Sequence, residues 1–226
     1  MKRLIAMLLI LILPTLAEAA GPLVPQDNNS TLDFSLRLAR SNIPLDYGNR
    51  THDTTSRWLG VSLREKAGKR VTLGMYGGYA WLTQANNPVT AGIELGGFHA
   101  GFSLHGILLE GQRAFLYGAL DYSYQKVDHK SDLQTVVIDW VQPQAQLGVV
   151  LTLAQKWRLY GGGNYGKIDG EERASGSVNH TLTFERGAQS GGFLGFDLNV
   201  ETDGYIGVEA RSGLMRGGEI YFKRRF

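Results

Sequence analysis

Cysteine is absent from the 226 residues, and proline occurs only six times. Without thiols there is no disulfide framework and no Cys-based zinc or iron–sulfur centre. No apolar run reaches the ~20 residues of a membrane-spanning helix, which excludes a helical membrane bundle. Nor does any stretch carry a sustained i, i+3, i+4, i+7 apolar stripe. Neither sign of charge dominates: 23 Lys and Arg face 21 Asp and Glu, a net of +2. These charges are interspersed, so no basic stripe marks a nucleic-acid partner. Glycine, in contrast, is plentiful at 30 residues, roughly twice its usual share of about 7%. It follows no G-X-Y period, which excludes collagen, and 43% apolar residues argue against wholesale disorder.

The N-terminus reads as an address. Lys2 and Arg3 precede an uncharged apolar run from Leu4 to Leu13, and Ala17-Glu18-Ala19 follows. A basic flank, a short apolar stretch and an A-x-A site define a secretory signal peptide. The run would rise only about 15 Å as a helix, too short for an uncleaved anchor. We therefore expect a signal peptide over 1–19, cleavage near Ala19, and a short periplasmic segment over 20–30. No Cys follows the cleavage point, so lipid anchoring is not expected.

From Thr31 onward the hydrophobic period is two. Leu32, Phe34, Leu36 and Leu38 alternate with Asp33, Ser35 and Arg37; Leu59, Val61 and Leu63 alternate with Trp58, Ser62 and Arg64. The same alternation recurs at Val71–Trp81, Ala145–Leu153, Leu194–Val200 and Ile220–Phe226. This periodicity predicts an all-β chain. Connections near 66–69, 110–112, 154–156 and 202–204 are short, whereas polar stretches at 41–54, 83–89, 127–133 and 170–189 are long. Short turns on one side and long loops on the other predict a closed antiparallel transmembrane β-barrel over 31–226. Ten strands are counted, with eight as the alternative. Both termini then lie on the short-turn, periplasmic side.

Two places resist this pattern. The apolar phase flips between Ile93/Leu95 and Phe98/Ala100/Phe102, which predicts a β-bulge at Gly96-Gly97. Pro143 falls inside the sixth strand, where a closed sheet has no free edge. We expect it in the part of the hairpin above the bilayer.

The proposed lipid face carries aromatics near strand ends, namely Trp81, Tyr122, Tyr124, Trp157, Tyr165 and Phe226, as membrane interfaces favour. The opposite face would hold Asp33, Asp121, Asp197, Glu201, Glu209 and Glu219 against Arg37, Arg64, Arg158, Arg211, Lys223 and Arg225. Buried charges persist when paired or hydrated, so the balance predicts an ion-pair network in a narrow lumen.

The chain ends Gly218-Glu-Ile-Tyr-Phe-Lys-Arg-Arg-Phe226, with Ile220, Phe222 and Phe226 on one face. Here it resembles the bacterial outer-membrane β-barrel proteins, of the small OmpA/OmpX or ten-stranded omptin type. Their last strand ends in an aromatic residue preceded by alternating apolar ones. The resemblance implies that Ile220, Phe222 and Phe226 form a signal read by the barrel-assembly machinery. Arg224 departs from that pattern. Outer-membrane lipid is the other expected partner; a monomer is expected, with no cofactor and no metal.

Three candidate chemistries were weighed. Ser103 and His105 share a strand face, and Asp121 on the next strand could orient the imidazole, as in a Ser-His-acid hydrolase acting on lipid. Asp53 with His52, and Asp128 with His129, supply the acid–His pairs an omptin-like protease needs. A secreted soluble barrel binding a small ligand is the remaining alternative. Against these stands a non-enzymatic barrel with a charge-filled lumen and a structural, adhesive or small-pore role.

Overall fold

The computed structural model describes residues 32–154, 156–201 and 203–226; the expected signal peptide and the 20–30 segment lie outside them. Ten antiparallel strands close into one barrel: β1 (Leu32–Asp46), β2 (Thr51–Lys66), β3 (Val71–Ala85), β4 (Leu95–Glu110), β5 (Ala114–Lys130), β6 (Gln134–Ala154), β7 (Trp157–Gly176), β8 (His180–Asn199), β9 (Gly204–Arg211) and β10 (Arg216–Arg225). Each strand pairs with its sequence neighbour, and β1 pairs with β10 to complete the ring. Closure pairs both sides of each strand along most of its length, which lets backbone groups bond one another without water.

Several strands are longer than their alternation predicted, and three of the four outer connections are shorter. The stretches read as long loops at 41–54, 127–133 and 170–189 are largely strand, linked by connections at 47–50, 131–133 and 177–179, whereas the connection expected at 83–89 lies at 86–94. The reason is an inversion of the pattern along single strands. In β1, Leu36 and Leu38 point outward while Ser35 and Arg37 are buried; a few residues further, Arg40 and Asn42 take the outward positions while Ile43 and Leu45 are buried. Strand β6 does the same, with Leu147 and Val149 outward at one end and Val136, Ile138 and Trp140 buried at the other. Direction alternates without interruption; only the chemistry of each face changes. A strand that is apolar-out reads as membrane β, and one that is polar-out reads as a soluble barrel wall.

The same inversion replaces the expected bulge at Gly96-Gly97. Register runs unbroken from Leu82↔Leu95 to Val71↔Gly106, so Leu95 is buried and Phe98 exposed without an extra residue. The irregularities lie elsewhere, at Ile107/Leu109, Thr152/Ala154 and Gly166/Ile168. Pro143 pairs with Tyr122 on β5, at the upper edge of the apolar belt and not in the projecting hairpin. Its missing N–H does little harm there, because the β6–β7 ladder already lapses between Val141↔Asp169 and Gln144↔Gly166.

Height is uneven around the ring. At about 3.3 Å per residue, the 21 residues of β6 span about 70 Å, whereas the 8 of β9 span about 26 Å. Above the short β9–β10 hairpin, β1 leans onto β8 through Asp46↔Glu185. The hairpin's turn folds into the barrel, burying Leu214 and Met215. Arg186 spans the notch, donating to the carbonyls of Leu214 (3.0 Å) and Pro44 (3.4 Å).

Outside, the lower half is apolar all round, with Leu36, Leu63, Met75, Phe102, Leu120, Leu147, Leu194 and Ile206 among its exposed side chains. Monomers in water rarely expose apolar patches beyond a few hundred Å², so this belt faces lipid.

Candidate functional site in the barrel interior

At the level of the belt, alternation sends the polar residues of every strand inward. Arg37 donates to Glu219 through Nε (3.2 Å) and Nη2 (2.8 Å), and neither residue is more than 3% exposed. Arg158 pairs with Asp197 at 2.8 Å and Arg211 with Glu209 at 3.1 Å. Arg225 lies 3.5 Å from Asp33. Arg64 and Lys223 are buried beside them, and Asp121 lines the same interior. Glu201 is different: it is exposed in the β8–β9 turn, outside the lumen. Its alternation phase was inward, but β8 ends at Asn199, and the turn releases it.

Hydroxyls and aromatic rings knit these pairs together. Tyr221 donates to Asp197 and lies 3.1 Å from the Tyr160 hydroxyl. Both rings lie over glycines: a Cβ at Gly195 would collide with Tyr160, and one at Gly207 with Tyr221. The ring takes the space a side chain would fill, a device that lets a small barrel curve sharply. Arg37 stacks on Trp58 at 4.7 Å and Arg158 on Tyr205 at 4.2 Å. Alternation already put Trp58 and Tyr221 on the inward phase, but which charges Trp58, Tyr160, Tyr205 and Tyr221 meet depends on register, which the sequence does not give. About 30 Å³ stays open among Arg37, Arg64, Ser103, Asp121 and Glu209, room for a water or two.

Above this layer the interior becomes apolar. Ile43, Leu45, Leu82, Leu95, Val127, Val136, Ile138, Ile168, Phe184 and Leu214 form one buried cluster. A polar cap covers it. Glu172, 1% exposed, accepts from Tyr47 (2.8 Å) and Asn87 (2.9 Å) and lies 3.1 Å from His180. Burial raises the Tyr47 phenol well above its ordinary value, and the Glu172 charge adds to the rise. Tyr47 therefore stays a neutral donor.

The hydrolase candidates are close without forming a relay. Ser103 and Asp121 are direct cross-strand partners on β4 and β5, and Ser103 and His105 are both buried on the lumen face. Both ring nitrogens of His105 lack a hydrogen-bond partner among the described residues. A general base must reach its nucleophile within about 3.2 Å or through one water, and the inner cavity that Ser103, His105 and Asp121 share holds only about 30 Å³; Ser103 and Asp121 also border an apolar groove of about 640 Å³ on the belt side, which His105 does not line. The acid–His pairs are parted by the wall itself. His52 is buried inside while Asp53 is exposed outside, and Asp128 and His129 are likewise strand neighbours on opposite faces. Of the expected assembly signal, Phe222 and Phe226 are exposed on the belt face and Ile220 partly so. The Phe226 amide donates to the Leu32 carbonyl at 2.9 Å.

No known family profile matches the chain, and no curated protein matches its sequence. Its shape does match solved structures. The translocator domain of the autotransporter NalP from Neisseria meningitidis superposes with a TM-score of 0.53 at 13% identity, covering 89% of this chain and 91% of that one. The transport unit of the autotransporter AIDA-I from Escherichia coli gives 0.52 at 14%, covering 92% and 93%. An outer-membrane channel from Pseudomonas putida F1 gives 0.51 at 12%, covering 92% and 100%. The chain thus has the fold of bacterial outer-membrane β-barrels. At such identities the likeness extends to the fold alone.

Proposed function

We propose that the protein is an integral outer-membrane barrel whose lumen is permanently filled, and that it serves as a structural or adhesive surface element. One observation carries this reading. Paired charges occupy the membrane-level interior and an apolar core stoppers the outer half, and the cavity enclosed among the charged residues holds about 30 Å³. Ions would have to break desolvated pairs and then part a packed core. A narrow pore therefore fits the filled interior poorly, and a hydrolase lacks a relay, since the His105 ring bonds neither Ser103 nor Asp121. The tall β5–β8 wall supplies the exposed surface an adhesive role needs. The Ile220, Phe222 and Phe226 face would be what the assembly machinery reads.

Planar-bilayer recording tests the proposal. Purified full-length protein should insert, shift its gel migration on heating, and carry no steady ohmic current. A sustained current of porin size would overturn the filled-lumen reading. Recovery of the protein from the soluble periplasmic fraction would overturn the membrane reading.

A further inference from the structure

Outward cations stand above the belt, and several of them have an acid at hand. Lys167 lies 2.6 Å from Asp169, and Arg173 reaches Asp139 and Glu171 at 2.5 and 3.2 Å. Lys126 faces Asp139 across the β5–β6 ladder. On β10, β1 and β2 the arrangement differs. Arg40 and Arg57 are direct cross-strand partners, and Arg216 pairs in register with Asn42, one step further out on the same face. Like charges directly opposite each other on a sheet repel. Among the described residues neither Arg40 nor Arg216 forms an ion pair, and Arg57 has only a half-exposed contact with Glu94 at 3.8 Å.

The surroundings make this triangle a receptacle. Gly218 is the other register partner of Arg40 and contributes no side chain. A groove of about 510 Å³ runs past Arg40, Asn42, Pro44, Thr55 and Arg216, with Asp53 as the acid on its wall. Immediately below, Leu38 pairs with Leu59 on one side and with Ile220 on the other, forming the last apolar row of the belt. The arginines thus sit one residue pair above hydrocarbon, at the depth of lipid headgroups.

We propose that Arg40, Arg57 and Arg216 hold the phosphates of a phosphorylated glycolipid in the outer leaflet, its acyl chains lying on the belt beneath. Guanidinium forks bind phosphate oxygens bidentately. A doubly charged phosphate between Arg40 and Arg57 turns their repulsion into two attractive contacts. The inference rests on the membrane placement proposed above, which cell fractionation tests separately.

The experiment is native mass spectrometry of the full-length protein in mild detergent, titrated with bisphosphorylated lipid A. The triple variant R40Q/R57Q/R216Q should bind at least about 10-fold more weakly while keeping its heat-shifted migration. Removing the phosphates from the lipid should cost the wild-type protein a similar factor and leave the triple variant nearly unaffected. The double variant K126Q/K167Q, which alters outward cations that face acids elsewhere above the belt, should stay within about twofold of wild type. Equal binding by the triple variant would overturn the proposal. So would equal loss in the double variant, which would mean general rim charge, or displacement of the lipid by equimolar inorganic phosphate, which would mean a free-anion site. Should the triple variant not fold, Arg40→Gln alone decides: about a threefold loss is expected, and none would sink the idea.

Discussion

The lower and upper halves of this barrel are built from the same strands and are inside-out relative to each other. Below, Leu36, Leu38, Leu59 and Val61 face out while Arg37, Ser62 and Arg64 are buried; above, Arg40, Asn42 and Asp53 face out while Ile43 and Leu45 are buried. No bulge separates the halves in β1 or β2, because Asp33↔Arg64 to Asp46↔Thr51 is one continuous register. What changes is the solvent outside. Where hydrocarbon surrounds the wall, polar groups go inward and must find one another; where water surrounds it, the ordinary hydrophobic effect refills the interior with apolar side chains. The two halves are therefore stabilised by different physics and should fail differently.

The largest contrast comes from removing one partner of a buried ion pair. Glu219→Leu strands Arg37 in the lower interior and should cost about 3–5 kcal/mol in urea unfolding from detergent. Replacing both, as Arg37→Met with Glu219→Leu, should restore most of that stability, since a packed apolar pair avoids the desolvation penalty. If the double variant is no better than the single, the lower layer is more than a set of pairs. In the upper half Ile138→Ala should cost about 2–5 kcal/mol through the cavity it leaves, with no rescue from charge changes below. Gly195→Ala probes the boundary between packing and curvature. Its methyl would collide with the Tyr160 ring, and a loss of about 1–3 kcal/mol is expected, as for overpacking elsewhere. Tyr160→Phe in the same background should not relieve it, because the ring stays in place. The smallest effect belongs to the exposed outer wall. Arg173→Ala breaks contacts that water already screens and should move stability by no more than about 1 kcal/mol.

Much of this architecture was legible beforehand. Period-two alternation marked all ten strands, and the exposed aromatics Tyr122, Trp157, Tyr165 and Phe226 lie on the outward face. The inward phase of Asp33, Arg37, Asp197, Glu209 and Glu219 followed from the same alternation. The error was to treat the apolar face as one face throughout. Ile43 and Leu45 alternate as regularly as the belt residues, but in the opposite phase, and so read as loop; Val136, Ile138 and Trp140 read as strand, without the reversal of their face being seen. A change of phase marks a change of surroundings as readily as it marks a bulge. The hydrolase candidates show the complementary limit. Ser103, His105 and Asp121 do share a face, yet shared direction supplies neither a hydrogen bond nor room for a substrate.

The sequence by itself determined the all-β repeat, the lipid belt and the two senses of alternation, because these depend only on residue type and on the two-residue repeat of a strand. Closure decided the rest. Arg158 meets Asp197 across 39 positions through the β7–β8 register, and Arg37 meets Glu219 across 182 because β10 returns to pair with β1 and close the ring. The same closure places the short β9–β10 hairpin between two taller walls, tucks Leu214 and Met215 into the gap, and sets Arg40, Arg57 and Arg216 side by side at the edge of the belt. Alternation tells each side chain which way to point, and only the closed ring tells it what it will meet there.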